Sequence, residues 1–321
     1  MTPPPVAPAP APAERARLAT ARRRFGLAPE GEEFPLAGDV GSRRYFRWTA
    51  RGRASVLVVL YPEPASTAQE NWTAIGAALA RTGLRVPALL DDAPDLGAAL
   101  VEDLGDRDLA VEIEEASPPD RPRLLDEAEE LLHAVRTLDP VAARRNPPFD
   151  PGFFFRELSQ TRLWAFEKGG ATPMAEADRA EWDRLTSALS HAAADPAFTG
   201  DPVPTHRDFH ANNLMRVPGG RLALIDFQDL RSGPPDYDPV SLRFERAGES
   251  VPSDPAAYAE AVLLQRAWKV LGTFEKMLAL GRPVYRRHRD TALRVLRTNT
   301  APGGPWAPLL DFLSPDSGGV S

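Results

Sequence analysis

A chain of 321 residues, 43 % hydrophobic and 26 % charged, is long enough to bury a sizeable core and to divide into two lobes. Its net charge of −7, with both signs interspersed, argues against a general nucleic-acid binder, which would show a basic face. The absence of cysteine excludes disulfides and thiolate metal sites and makes the cytoplasm the expected setting. No run of roughly 18 or more apolar residues offers a membrane span, and the opening MTPPPVAPAPAPAE has neither the basic start nor the apolar stretch of a signal peptide.

Residues 1–13, rich in Pro and Ala, are expected to be a disordered tail. A short helix should follow over Glu14–Phe25. The runs SRRYFRWTA and ASVLVVLYP read as strands joined by a turn at RGR. STAQENWTAIGAALARTG reads as a helix capped by Ser66 or Thr67 and closed by Gly83. VPALLDD and GAALVEDLGD read as a further strand pair. The expected small lobe, residues 14–103, is therefore a mixed sheet with one main helix.

From residue 104 to the end the pattern turns helical. RPRLLDEAEELLHAVRTLDP sets Leu124, Leu125, Ala128, Leu131, Leu132, Val135 and Leu138 on one face. FFFRELSQTRLWAFEKGG should form a helix ended by Gly169. Another helix should start with Thr172 as cap and Pro173 in the first turn, and a further one with Asp254 and Pro255 in those roles. A last helix runs through RRHRDTALRVLRTN.

The stretch THRDFHANNLMRVPGGRLALIDFQD interrupts these helices. LMRV and RLALI flank a turn-forming Pro-Gly-Gly, a strong hairpin signal. Asn213 stands just before the first strand and Asp226 just after the second, so the fold of a hairpin should bring them together, with Asp208 in the loop that feeds it. A thiol-free set of oxygen ligands suits a hard cation such as Mg²⁺. A carboxylate set apart from it can take a proton from an attacking hydroxyl. That division of labour is what phosphoryl transfer requires. A zinc reading of His206, Asp208 and His210 is the alternative, since alternate residues of an extended segment share a face. It lacks further histidines at ligand spacing.

HRDFHANN resembles the kinase catalytic loop, and IDFQD stands where kinases have D-F-G. The pair resembles the aminoglycoside phosphotransferase and choline kinase group. GDVGSRRYFRW, LVEDLGDR, FRELSQTRLW, DFQDLRSGPPDYDPVSL and LQRAWKVLGTFEK, in collinear order over about residues 30–300, resemble more narrowly the bacterial kinases that phosphorylate N-acetylmuramate and N-acetylglucosamine at C1. The resemblance implies a two-lobed, α+β protein-kinase-like fold, with ATP and Mg²⁺ as cofactors and a small acceptor, an acetamido sugar, as partner. It implies no nucleic-acid, membrane or obligate protein partner. By the same resemblance Asp208 is the catalytic base, Asn213 and Asp226 hold Mg²⁺, and Glu102, Asp103 and Leu104 form the hinge that meets adenine. GDVGSRRYF turns over the phosphates, His206 orients the loop, and Asp238 braces it.

Three departures stand out. The third strand lacks the lysine that kinases place there, and the chain's only lysines are Lys168, Lys269 and Lys276. Arg43 or Arg44 is expected to cover the phosphates instead, tied to Glu70, and strand alternation should let only one of them point inward. DFQD lacks the D-F-G glycine. SLRFERAG replaces the expected SLLRD and leaves substrate contacts in that segment open. A kinase for another acceptor, such as an aminoglycoside, a choline-like amine or another sugar, and a nucleotide-binding regulator without catalysis are the competing functions.

Overall fold

The computed structural model describes residues 10–36, 43–168, 174–246 and 254–313. The chain forms two compact units. The first comprises residues 1–107 and 215–229, the second residues 108–214 and 230–321. Most of the expected tail, the GDVGS segment, Gly169 and the Thr172–Pro173 cap lie outside the described residues.

The first unit opens with α1 (Pro12–Arg24), which begins two residues before the expected Glu14 because Pro12 suits the first helical turn and Glu14 accepts from the Ala11 N–H at 2.8 Å. Its sheet runs β1 (Glu32–Leu36), β2 (Arg44–Thr49), β3 (Val56–Leu60), then α2 (Thr67–Arg81), β4 (Leu89–Ala93) and β5 (Ala98–Glu102). The strand order is β1-β2-β3-β5-β4 and every ladder is antiparallel. The sheet is antiparallel throughout rather than the expected mixed one, because β5 inserts between β3 and β4 and runs against both. Strand β1 was not anticipated. Its two glutamates and Pro35 obscure the pattern, and they are residues suited to the sheet edge it occupies. Leu18 and Ala21 of α1 pack against Phe46, Val58, Leu60, Ala98 and Leu100 to form one apolar layer.

Helix α2 is capped as expected: the Ser66 side chain accepts from the Gln69 N–H. It buries Trp72 and Ile75. Strands β6 (Val203–Thr205), β7 (Leu214–Arg216) and β8 (Leu222–Leu224) come later in the chain, and β7 and β8 form the predicted hairpin. Gly219 and Gly220 at its tip have φ of +88° and +80°, which glycine adopts without steric cost. The hairpin joins the first unit through a parallel bridge from Ala223 to Arg85, with the Leu224 N–H donating to the Arg85 carbonyl at 2.8 Å.

The second unit is mainly helical: α3 (Leu109–Glu115), α4 (Arg121–Arg136), α5 (Pro140–Ala143), α6 (Pro151–Thr161), α7 (Glu176–Ala194), α8 (Pro196–Thr199), α9 (Tyr237–Ser241), α10 (Glu260–Ala279) and α11 (Arg286–Asn299). A short strand β9 (Arg231–Gly233) pairs with β6. Of the face predicted for α4, Leu125, Ala128, Leu132 and Val135 are buried, Leu124 and Leu131 are half-buried at its margins, and Leu138 is buried just beyond the helix end. Asp254 and Pro255 do not start the long helix. They open a separate 3₁₀ turn, and Ala259 remains extended because its N–H is drawn to Asp236 at 2.8 Å, so α10 begins at Glu260.

Helix α10 is the axis of this unit. Its buried face includes Val262, Leu264, Trp268, Leu271 and Phe274, packed with Phe154, Leu158, Phe166 and Trp182. A Cβ on Gly272 would sit 2.5 Å from the Cα of Thr161, so glycine is required where α10 passes α6. Among the described residues no helix is long and apolar enough to cross a membrane.

Candidate active site

The loop after β6 is built on a carboxylate. Asp238, at the start of α9 and 3 % exposed, accepts the His206 N–H at 2.7 Å and the Arg207 N–H at 2.9 Å. These two bonds hold Arg207 at φ +83°, a conformation that costs a non-glycine residue about 1–3 kcal/mol unless its surroundings impose it. The strained residue immediately precedes Asp208. His206 is fully buried with its ring edge-on to Phe209, which fits a packed, loop-orienting histidine.

Asp208 keeps 26 % of its side-chain surface exposed. Its Oδ1 accepts from Lys269 Nζ at 3.1 Å and from Arg266 Nη2 at 3.2 Å. Exclusion of water by its neighbours would by itself raise its pKa. The cations of Lys269, Arg266 and Arg207, with His210, outweigh that and hold the carboxyl well below its usual value. These cations favour the ionised form of Asp208.

Arg266 anchors this arrangement. It is 2 % exposed and paired with Glu245, whose side chain is 5 % exposed. It also donates to Ser241 Oγ at 2.9 Å, Tyr237 Oη at 3.2 Å and the Arg207 carbonyl at 2.8 Å. Glu245 lies in the SLRFERAG departure, so that segment serves an internal ion pair. Its Arg243 reaches back to Glu129 at 2.9 Å and Asp126 at 2.7 Å on α4. The roles of Arg266, Lys269 and Glu245 were not read from the sequence. Gln265, Arg266 and Lys269 interrupt the otherwise apolar run Ala261–Gly272, and that interruption was the available signal.

Asn213 closes a short 3₁₀ turn ahead of β7. Its Nδ2 donates to the Asp208 carbonyl at 2.8 Å, which fixes the amide with its oxygen turned away from that bond. Glu157 on α6 accepts from Gln265 at 3.1 Å and from Arg207 at 3.3 Å. Arg231 and Arg207 lie over the Phe153 ring at 4.4 and 5.5 Å.

The remaining candidate residues belong to the first unit. Asp226 follows β8 at φ +64°. The next residue, Phe227, is buried and stacks on Trp72 of α2 at 5.4 Å, and a Cβ on Gly76 would touch that ring at 3.0 Å. Arg43 pairs with Asp226, and Arg44 turns to Glu14 on α1 at 3.4 Å. Alternation thus separates the two arginines as expected, and Arg44 is not the one at Asp226. Glu70 is exposed on α2 and forms no ion pair with either, which corrects the expected tie. In the segment expected to meet adenine, Glu102 is bound by Arg85 and accepts the Ala88 N–H at 3.1 Å. Asp103 is held by Arg47 at 2.6 and 2.9 Å. Both carboxylates are thus engaged by arginine.

Asp226 is 34 % exposed and the Asn213 amide is oriented by its own hydrogen bond; a carboxylate and an amide oxygen are each donor types that suit Mg²⁺. Among the described residues no three His, Asp or Glu side chains form a group that could hold a metal, so the His206, Asp208 and His210 zinc set has no geometry behind it.

A model of the phosphotransferase enzyme family matches residues 34–274. The chain belongs to that family. It is 29 % identical over 245 residues, 76 % of its length, to an N-acetylmuramate/N-acetylglucosamine kinase of Pseudomonas aeruginosa. Three kinases of that name match, and the matched regions span between 59 % and 68 % of their own lengths. Among solved structures it resembles a choline kinase of Streptococcus pneumoniae, with a TM-score of 0.58 and 14 % identity over 88 % of this chain and 99 % of that one. A thermostable aminoglycoside phosphotransferase, solved with ADP and hygromycin B, has a TM-score of 0.59 and 14 % identity over 88 % and 98 % of the two chains. The fold is that of the two-lobed kinases, and this family member is a small-molecule kinase.

Proposed function

We propose that the protein transfers the γ-phosphoryl group of ATP to the anomeric hydroxyl of N-acetylmuramate or N-acetylglucosamine. The observation that supports this most directly is Asp208, an ionised carboxylate on a braced loop, with one oxygen occupied by two cations. Asp208 accepts a hydrogen bond from the acceptor hydroxyl, aligns its lone pair with phosphorus, and takes the proton as the new P–O bond forms. A lactol hydroxyl is more acidic than an ordinary alcohol, so a carboxylate this acidic is an adequate base late in the transfer. By the family resemblance Asn213 and Asp226 would each offer an oxygen to Mg²⁺, which would supply positive charge against the triphosphate. The main chain at Glu102, Asp103 and Leu104 receives the adenine.

The low pKa of Asp208 has a kinetic consequence. A carboxylate base works above its pKa, so the acid limb of kcat should lie below the usual carboxylate range in the native protein. Lys269→Met removes the cation with the greatest lowering effect, raises the Asp208 pKa and should move that limb to higher pH. A pH–rate profile in which the limb stays where it was would show that Lys269 does not control the base.

The function itself is tested by incubating the purified protein with Mg·ATP and each of several acceptors: both acetamido sugars, choline and an aminoglycoside. ADP release and a C1-phosphorylated sugar are expected with the acetamido sugars. Turnover with choline or the aminoglycoside alone would replace the acceptor. Nucleotide binding without turnover on any acceptor would favour a regulator.

A further inference from the structure

Arg43 stands one residue before β2 and is 12 % exposed. Its Nη2 pairs with Asp226 Oδ1, and its Nη1 donates to Gln228 Oε1 at 2.7 Å. Gln228, 4 % exposed, closes the triangle by donating from Nε2 to the same Asp226 oxygen at 3.2 Å. Gln228 occupies the position where D-F-G has its glycine, so the departure from that motif and the missing strand lysine meet in one cluster. The cluster sits on a fixed base: Asp226 is held at positive φ, and Phe227 between it and Gln228 is locked against Trp72.

A carboxylate oxygen bound by a guanidinium is not free to bind a divalent cation. A metal placed there would also bring positive charge against the positive charge of Arg43. A triphosphate offers Arg43 another anion, and guanidinium matches phosphate oxygens bidentately. Resting on the phosphoryl-transfer reading above, we infer that Arg43 exchanges between two anions, guarding Asp226 when the site is empty and binding nucleotide phosphate when Asp226 takes its metal, with Gln228 positioning it for both. Arg43 thereby fills the role of the absent lysine and couples metal binding to nucleotide binding. The metal alone should bind weakly, because it must displace an ion pair. Metal with nucleotide should bind well, because the displaced guanidinium gains a partner.

The test uses the full chain without acceptor. Mn²⁺ binding is followed by electron paramagnetic resonance in the absence of nucleotide, and ATP binding by calorimetry with and without Mg²⁺. Arg43→Met should tighten Mn²⁺ binding and weaken Mg·ATP binding, each about tenfold, equivalent to about 1.4 kcal/mol. Arg43→Lys retains the charge and should keep most of the Mg·ATP affinity, which separates a charge effect from misfolding. Gln228→Ala should shift both affinities in the Arg43→Met direction by smaller factors. Mn²⁺ bound no more tightly by Arg43→Met than by the native protein would overturn the exchange, as would unchanged Mg·ATP affinity. A native protein that binds no nucleotide at all would instead overturn the kinase reading on which the exchange rests.

Discussion

Asp208→Asn should lower kcat by about 10²–10⁴, the usual contribution of a positioned general base, and leave the affinity for Mg·ATP within about twofold. Asparagine preserves the shape of the side chain and can still accept from Lys269 and Arg266 through its amide oxygen, so the loop should keep its place. It cannot take the proton of the acceptor hydroxyl. Because Asp238 rather than Asp208 holds the His206 and Arg207 N–H groups, the substitution leaves the brace intact. Steady-state kinetics with the best acceptor, together with calorimetric titration of nucleotide, checks both halves. A kcat near that of the native protein would remove Asp208 from the chemistry. A large loss of nucleotide affinity would mean that its role is in binding.

Arg266→Met should destabilise the fold by about 3–5 kcal/mol, the cost of leaving one partner of a buried ion pair behind. Glu245 is 5 % exposed and would lose the guanidinium that it pairs with, while Tyr237, Ser241 and the Arg207 carbonyl lose a donor. A surface pair would behave differently: Arg184 with Glu181, both well exposed, is screened by solvent, and its loss should leave the urea midpoint nearly unchanged. Urea denaturation measures the loss. The double variant Arg266→Met with Glu245→Leu should recover most of it, since an apolar pair of similar volume removes the stranded charge. A single variant as stable as the native protein, or a double variant no better than the single, would show that the stability does not reside in this pair. Lost activity in the double variant would then report the contacts of Arg266 with Asp208 and the loop that carries it.

Much of the architecture was legible from residues close together in the chain. The cap at Ser66, the apolar face of α4 and the Pro-Gly-Gly turn between β7 and β8 each depend on side chains within about one or two helical turns of one another, where spacing and backbone preference decide the outcome. The motif HRDFHANN and the later IDFQD were likewise readable, and they pointed to Asp208, Asn213 and Asp226 as candidates. The zinc alternative rested on the same local spacing and found no support once side-chain positions were known. Strand β1 shows where such reading stops, because the charged residues and proline that suit a sheet edge also disguise a strand.

What only the tertiary structure decided were the partners of the charged groups. Arg43 reaches Asp226 across 183 positions of sequence, and Arg266 reaches Asp208 across 58. Nothing in the spacing of SRRYF chooses Asp226 over Glu70, and nothing in LQRAWK announces a buried guanidinium shared by Glu245 and a loop carboxylate. The sequence by itself determined most of the long helices, the hairpin and which residues are candidates for the chemistry. The folded chain determined which charges face one another, because the strength of an ion pair depends on burial and on separations of a few ångströms, and both arise only when distant segments pack.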